Sequence, residues 1–253
     1  MDSLRFDGRI ALVTGAGSGI GQACAALLAE RGAKVMVLDI DQAAAEQAAA
    51  AMGVGAQPLT CDVTDRHAMR EVVARIEARH GRLDILVNNA GIIRDKQIRN
   101  MAPEEWKAVL AVNTRGVWNG IQAAVPGMRA RGYGKIVSMA SRAALGNFGQ
   151  TNYAFSKAGL IGMSRALALE LGPDNITVNV VAPGLVETPL IRQANPELHE
   201  RVARATPLGR AAQPREIGEA VCFLASEAAA YITAQTLFVC GGRSAKSARE
   251  NWN

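Results

Sequence analysis

Seven short stretches of the chain are apolar almost throughout: IALVT (10–14), KVMVLD (34–39), PLTCDV (58–63), DILVNN (84–89), KIVSM (135–139), ITVNVVA (176–182) and TLFVC (236–240). A strand covered on both faces has no polar side to show, so it reads as a continuous apolar run and not as an alternation. Longer alanine-rich stretches of helical character lie between them, among them 20–31, 41–52, 65–80, 103–131 and 152–171. This alternation predicts an α/β fold, a doubly wound parallel sheet of about seven strands with helices on both faces and right-handed crossovers. No internal repeat or low-complexity linker interrupts the rhythm, so one domain is expected over 1–253, ending in a short tail, 243–253.

The longest departure from the rhythm is 184–212, rich in Pro and Arg, with a short helical pattern at 197–204. A long excursion between the last two strands of a compact domain is usually functional, and in such sheets ligands gather beyond the carboxyl ends of the strands. The segment is therefore expected to form a lid over the ligand, the alternative being a passive surface insertion.

Composition removes several function classes. The apolar runs are too short to span a bilayer, and MDSLRFDGRI lacks the apolar core of a secretory signal, so no membrane partner and a cytoplasmic location are expected. Cys24, Cys61, Cys222 and Cys240 are scattered, with no paired spacing and no clustered histidines, which reads as reduced core residues and no metal site. The net charge of +5 suits an anionic ligand, but the basic residues are dispersed and aromatics make up only 4%, leaving little for base stacking; nucleic-acid binding is not expected.

The first candidate for chemistry is LVTGAGSGIGQA, which follows the first strand and opens a helix. Gly15, Gly19 and Gly21, with Ser18 and Ile20 between them, form a variant of the dinucleotide fingerprint. A turn without Cβ atoms lets backbone N–H groups approach a pyrophosphate at a helix N-terminus. Asp39 then closes the second strand, followed by Ile40. A carboxylate there accepts the ribose hydroxyls of an adenosine and repels a 2′-phosphate, which favours NAD over NADP. The competing explanation is that Asp39 merely caps the helix at 41–52.

The second candidate is Tyr153 with Lys157, four residues apart and so on one helical face. Free tyrosine has a pKa of about 10, and bringing it near neutrality takes about 4 kcal/mol of preference for the phenolate. One cation at about 4 Å, at an effective dielectric of 20, supplies roughly that much. The pair can thus serve as base toward an alcohol or acid toward a carbonyl. Taken alone, such a pair is more often a solvated helix face.

Taken together, TGAGSGIG (14–21), CDV (61–63), NNAG (88–91), Asn113, Ser141, YAFSK (153–157), PGLVET (183–188) and ITAQTLFVCGG (232–242) resemble the short-chain dehydrogenase/reductase family, from about residue 6 to 242. The resemblance implies a Rossmann fold and an oxidoreductase. It assigns proton transfer to Tyr153. Lys157 is to lower the Tyr153 pKa and hold the nicotinamide ribose, Ser141 to bond the substrate oxygen, and Asn113 to hold a water leading from Lys157. Asp62 and Val63 are to border the adenine, Asn89, Ala90 and Gly91 the adenosine-side ribose and central cofactor, and Val186 and Thr188 the carboxamide. Pro183 and Gly184 shape the turn beneath the nicotinamide. It also implies a homotetramer paired through 103–131 and 152–171.

The residues themselves leave alternatives at two of these positions. Ser141 ends a strand, where a hydroxyl can meet a developing alkoxide, or it bonds its own backbone as a loop residue. Asn113 disfavours the helix in which it lies, which points to a purposeful distortion, or it simply faces solvent. Ser141 stands twelve residues before Tyr153, one fewer than in many family members, with Ser138 the other serine nearby. Cys240 stands where the family commonly has aspartate, and Ala234 where it has glycine.

The segments NAGIIRD and GQTNYAFSKAGLIG look most like the branch containing 3-oxoacyl-carrier-protein reductases. Asp39 speaks against that branch, which usually takes NADP, and so do Pro173 and Asp174, where it often has an arginine for the carrier protein. The expectation is an NAD-dependent dehydrogenase of a secondary alcohol or hydroxyacyl compound, with an NADP-dependent 3-oxoacyl reductase as the alternative. A non-catalytic NAD-binding sensor is the reading from a different class. Arg142, Asn147, Phe148 and Gln150 are expected to flank the substrate. Arg94, Arg192, Arg201 and Arg204 are candidates for an anionic group, with solvated surface arginines as the plainer alternative.

Overall fold

In the computed structural model of the chain, residues 3–188, 200 and 202–245 are described. Strands β1 (Ile10–Thr14), β2 (Lys34–Asp39), β3 (Ala56–Thr60), β4 (Ile85–Asn88), β5 (Gly134–Met139), β6 (Ile176–Pro183) and β7 (Thr236–Val239) form one sheet in the order 3-2-1-4-5-6-7. Every neighbouring pair is parallel. Helices α1 (Gly19–Glu30), α2 (Gln42–Met52), α3 (Arg66–His80), α4 (Pro103–Leu110), α5 (Val117–Arg131), α6 (Thr151–Leu171) and α7 (Pro214–Ala225) cover it.

Successive strand residues point to opposite faces, and the core divides accordingly. Leu12, Leu86, Ile136 and Val178 pack with the buried stripes of α3, α5 and α6. Val13, Val35, Val87 and Val181 pack with α1, α2 and α7 on the other face. All four cysteines are free and buried, as their apolar settings led us to expect. Burial pushes the Cys222 thiol up to about 12, so it is a packing residue and not a nucleophile.

Two elements differ from the sequence-based expectation. The third strand is Ala56–Thr60, not 58–63. Its pairing with β2 ends at Asp39 opposite Thr60, after which Asp62 accepts the N–H of Thr64 and turns the chain out of the sheet. It is an edge strand, which is why it tolerates Pro58. The long helix expected over 103–131 is divided by a π-helical turn, Ala111–Gly116. The helix α7 was not foreseen as a separate element. Most of the expected lid, 189–199 and 201, lies outside the described residues, as do Arg192 and Arg201. The two ends of the excursion meet: Val186 bridges Ala212, and the Glu187 N–H bonds the Ala212 carbonyl at 2.8 Å.

The sheet order reverses between β1 and β4, which opens a crevice at their carboxyl ends. At the opposite ends, Asp84 sets their alignment. Its carboxylate is fully buried, accepts the Ile10 N–H at 2.9 Å and takes both oxygens to Arg82 Nε at 2.8 Å. Asp84→Ala leaves the Ile10 N–H without its acceptor and releases the partly exposed Arg82 to water. We expect a loss of about 1–3 kcal/mol, read as a lower urea midpoint at unchanged slope.

Candidate active site

The crevice is closed on one side by the glycine loop. Gly15 and Gly19 have φ of +62° and +57°, a region open to glycine at little cost. A Cβ at Gly21 would fall 2.1 Å from the Gly15 carbonyl oxygen, and one at Gly15 would fall 2.8 Å from Ala90 Cα. The first bond inside α1 runs from the Gln22 N–H to the Ser18 carbonyl. The N–H groups of Gly19, Ile20 and Gly21 therefore have no acceptor within the helix, and Ser18 makes no capping bond of its own. Bare backbone donors at a helix start, with no side chain in front, suit the pyrophosphate of a dinucleotide.

A seam holds this loop against β4. Thr14 Oγ1 accepts the N–H groups of Asn89 (3.0 Å) and Ala90 (3.1 Å). The Asn89 side-chain amide donates to the carbonyls of Thr14 (3.0 Å) and Gly15 (2.9 Å). The amide of Asn89, expected at the ribose, is thus committed to the loop itself. Thr14 escaped the sequence reading, although its position between a strand and the first glycine was a signal.

Asp39 faces the same loop. Its Oδ2 accepts the Gly17 N–H at 2.9 Å, and its Oδ1 the Asp41 N–H at 3.1 Å. The cap of α2 is Asp41, which accepts the Ala44 N–H, so the capping explanation for Asp39 is removed. Gly17, also missed, is required by this contact, because a Cβ there would lie 2.9 Å from Asp39 Oδ2. Beyond β3, the Cys61 N–H bonds the Asp39 carbonyl and brings Asp62 and the buried Val63 to the same end of the sheet. Ile40 is exposed.

On the other side, Tyr153 stands in the first turn of α6 and Lys157 one turn on. Lys157 is buried, and its Nζ donates to the Met139 carbonyl at 2.7 Å, 5.6 Å from the Tyr153 ring centre. Burial drags the Lys157 pKa down to about 8 and pushes that of Tyr153 up to about 12. Hydrogen bonding from Ser141 works to lower the Tyr153 value, and the charge of Asp95 raises it further. Burial is the largest influence on the phenol, and the Lys157 ammonium is directed to a carbonyl at the end of β5.

Ser141 both bonds its own backbone and reaches the phenol. Its Oγ accepts the Ala143 N–H at 3.1 Å, starting the short turn Arg142–Leu145, which leaves its own proton to donate. Ser138 is buried within β5, where the Asn88 amide reaches it at 3.5 Å, and is no rival. Asn113 sits in the π turn, fully buried, so it does not face solvent. Its Oδ1 accepts the Ile92 N–H (2.8 Å), and its Nδ2 donates to the Ile92 carbonyl and to Ser156 Oγ, both at 3.1 Å. A side chain on Gly91 would begin 3.4 Å from Lys157 Nζ and 3.3 Å from Asn113 Oδ1, so bare backbone passes over both.

Gly184 leaves β6 so close to Cys240 that a Cβ would fall 2.8 Å from its Cα, and Pro183 ends the strand. Thr188 lies over the glycine loop, 3.4 Å from where a Gly19 Cβ would stand. Arg142 turns to the Gly146 carbonyl. Asn147 donates to Gln150 Oε1, and Phe148 is 85% exposed on the same loop. Arg94 bonds the carbonyl beside it, and Arg204 pairs with Glu200, so neither is committed to the crevice.

A loop of bare N–H groups and a tyrosine–lysine–serine group thus face each other across one crevice. A family model described as enoyl-(acyl carrier protein) reductase matches residues 15–244. The chain belongs to the short-chain dehydrogenase/reductase family. It is an oxidoreductase of that family, acting between hydroxyl and carbonyl with a nicotinamide cofactor. The chain is 42% identical over 243 residues to a 3-oxoacyl-[acyl-carrier-protein] reductase of Thermotoga maritima, covering 94% of this chain and 99% of the relative. It is 40% identical over 242 residues to the (2S)-[(R)-hydroxy(phenyl)methyl]succinyl-CoA dehydrogenase subunit BbsD of Thauera aromatica, covering 93% and 96%. The structure of a levodione reductase superposes with a TM-score of 0.91 at 33% identity, covering 96% and 100%.

Two variants test the site. Gly21→Ala drives a methyl into the Gly15 carbonyl, and we expect dinucleotide binding to be lost by titration calorimetry while the far-ultraviolet spectrum stays native. Lys157→Met removes a cation whose pKa is about 8 in the fold and about 10.4 unfolded. Between those values the unfolded chain binds the extra proton, so wild-type stability rises with pH from about 8 to 10, by roughly 2–3 kcal/mol. Below pH 8 the buried ammonium carries that cost in full. The variant should be more stable than wild type near neutrality and lose the rise, as read by urea unfolding across the range.

Proposed function

We propose that the protein interconverts a 3-oxoacyl thioester and its 3-hydroxyacyl partner, with Tyr153 transferring the proton. The observation that carries this reading is the grouping of Tyr153, Ser141 and Lys157 across the crevice from the glycine loop. The names of the relatives, a 3-oxoacyl reductase and a hydroxyacyl-CoA dehydrogenase, favour the hydroxyacyl side of the expectation, and the 3-oxoacyl alternative, over a simple secondary alcohol.

Bound nicotinamide supplies or accepts the hydride. The chain's own residues do the rest. Ser141, its oxygen already accepting from Ala143, donates its proton to the carbonyl oxygen. Tyr153 protonates that oxygen on reduction and deprotonates the alcohol on oxidation. Lys157 spends one N–H on Met139 and has two more, for a ribose hydroxyl and for the phenol's surroundings. Asn113 fixes the strand-to-helix passage at Ile92 beside Lys157.

For the cofactor, the relatives lean toward the NADP-dependent reductase, whereas Asp39 speaks for NAD. Its carboxylate is held against the glycine loop by two backbone N–H groups, where a 2′-phosphate would meet its charge. For the thioester, Arg129 is paired with Asp174 at 2.7 Å and Glu170 at 3.3 Å, which makes it a poorer cation for an acidic carrier protein. Coenzyme A is the better carrier on this ground. A homotetramer fits the exposed apolar and small residues of α6, Phe155, Gly159, Gly162 and Leu169.

Oxidation of NADH and of NADPH is to be followed with a short 3-oxoacyl-CoA and, separately, with a panel of simple ketones. The expected result is turnover of the thioester with NADH, lost by about 100-fold or more in Tyr153→Phe with NADH binding intact. Turnover of ketones but not thioesters would restore the plainer alcohol dehydrogenase. Preference for NADPH would remove the role given to Asp39.

A further inference from the structure

The loop after β4 and the start of α6 are joined at two points that none of the roles above explains. Gln150, the last residue before α6, donates from Nε2 to Asp95 Oδ2 at 2.5 Å. Asn152, fully buried, donates to the Arg94 carbonyl at 2.9 Å. The joint therefore fixes the first turn of α6, the turn that carries Tyr153.

We propose that Asp95 is a positioning residue for the proton transfer, anchoring Gln150 and placing a negative charge at the start of the helix that carries Tyr153. The proposal rests on Tyr153 having the role assigned above. A helix start favours a phenolate, because its unpaired N–H groups present positive charge. A carboxylate placed before that start opposes it and keeps the phenol protonated, the form that gives its proton to a carbonyl.

Among the described residues, the other charged groups considered near the phenol are cations, each held by a bond of its own. Lys157, on the same helix, donates to the Met139 carbonyl. Arg142, beyond Ser141, turns to Gly146, and Arg94 turns to the Ile93 carbonyl. Lys96, next to Asp95, pairs with Glu105 at 2.7 Å and faces away. Asp95 is the anion acting on the phenol, in the direction that raises its pKa. Because Asp95 is exposed, water and salt screen it, so its effect is modest.

Asp95→Asn tests the charge alone, since an asparagine oxygen can still accept from Gln150. We expect the pH at which alcohol oxidation reaches half its maximal kcat/KM to fall by about half a unit, with a smaller shift at high salt. Gln150→Leu should instead lower kcat, by loosening the turn, and leave that pH in place. A profile unmoved in Asp95→Asn overturns the proposal. A second measurement does not depend on turnover or on the identity of the substrate. The chain has three tyrosines, so the ultraviolet phenolate titration of wild type minus that of Tyr153→Phe isolates Tyr153. The difference curve should move to lower pH when Asp95→Asn is introduced into both backgrounds; a curve that stays put sinks the inference even if the enzyme is active. If instead the titration moves but no alcohol or thioester turns over, the electrostatic role stands and the functional reading falls.

Discussion

A cation withdrawn from water organises this molecule. Lys157 lies under the crevice with its ammonium on the Met139 carbonyl, and burial alone lowers its pKa to about 8. Such a group is tolerated only where the surrounding frame is firm enough to hold it. The frame here is the end of β5, the body of α6 and the π turn carrying Asn113, joined through Ser156. The tyrosine one turn away shares the same dry setting, so neither residue has its solution acidity. The chemistry of the site is the result of that shared desolvation together with the charges brought to it.

The opposite wall follows a different rule. There the backbone is the functional group, and side chains are excluded because they would collide. Gly15, Gly17 and Gly21 each approach a neighbour too closely for a Cβ, and Thr14 and Asn89 fasten the loop to β4. The reversal of strand order between β1 and β4 makes room for this wall, and Asp84 aligns the same two strands from below. One wall is a set of fixed donors, the other the tyrosine–lysine–serine group, and the sheet sets their separation.

Much of this was legible because apolar strand runs and glycine punctuation are local signals. Six of the seven strands fall within a residue or two of their apolar runs. The edge strand β3 was misjudged because CDV, apolar and strand-like in sequence, is drawn out of the sheet by the side chain of Asp62. The glycine loop, Asp39 and Tyr153 with Lys157 were visible as patterns. Thr14, Gly17, Asp95 and Asn152 were not, because each acts through a partner far along the chain and has no periodicity to reveal it. Sequence spacing gives the distance between Tyr153 and Lys157 but not how far burial withdraws each from water. Ala234, marked only as a departure from glycine, has φ of +61°, which explains why a residue without Cβ suits that place.

The π turn at Ala111–Gly116 has a consequence for how the chain can change. A wide turn carries one residue beyond the α-helical count, and each residue advances a helix by about 100°. Deleting any one of these six positions to regularise the helix would rotate α4 against α5 by that angle. Trp106, whose ring lies 5.3 Å from that of Phe155 on α6, would swing off its partner, and Asn113 could not keep hold of both Ile92 and Ser156. This segment is held to its length by the need to keep two helices in phase.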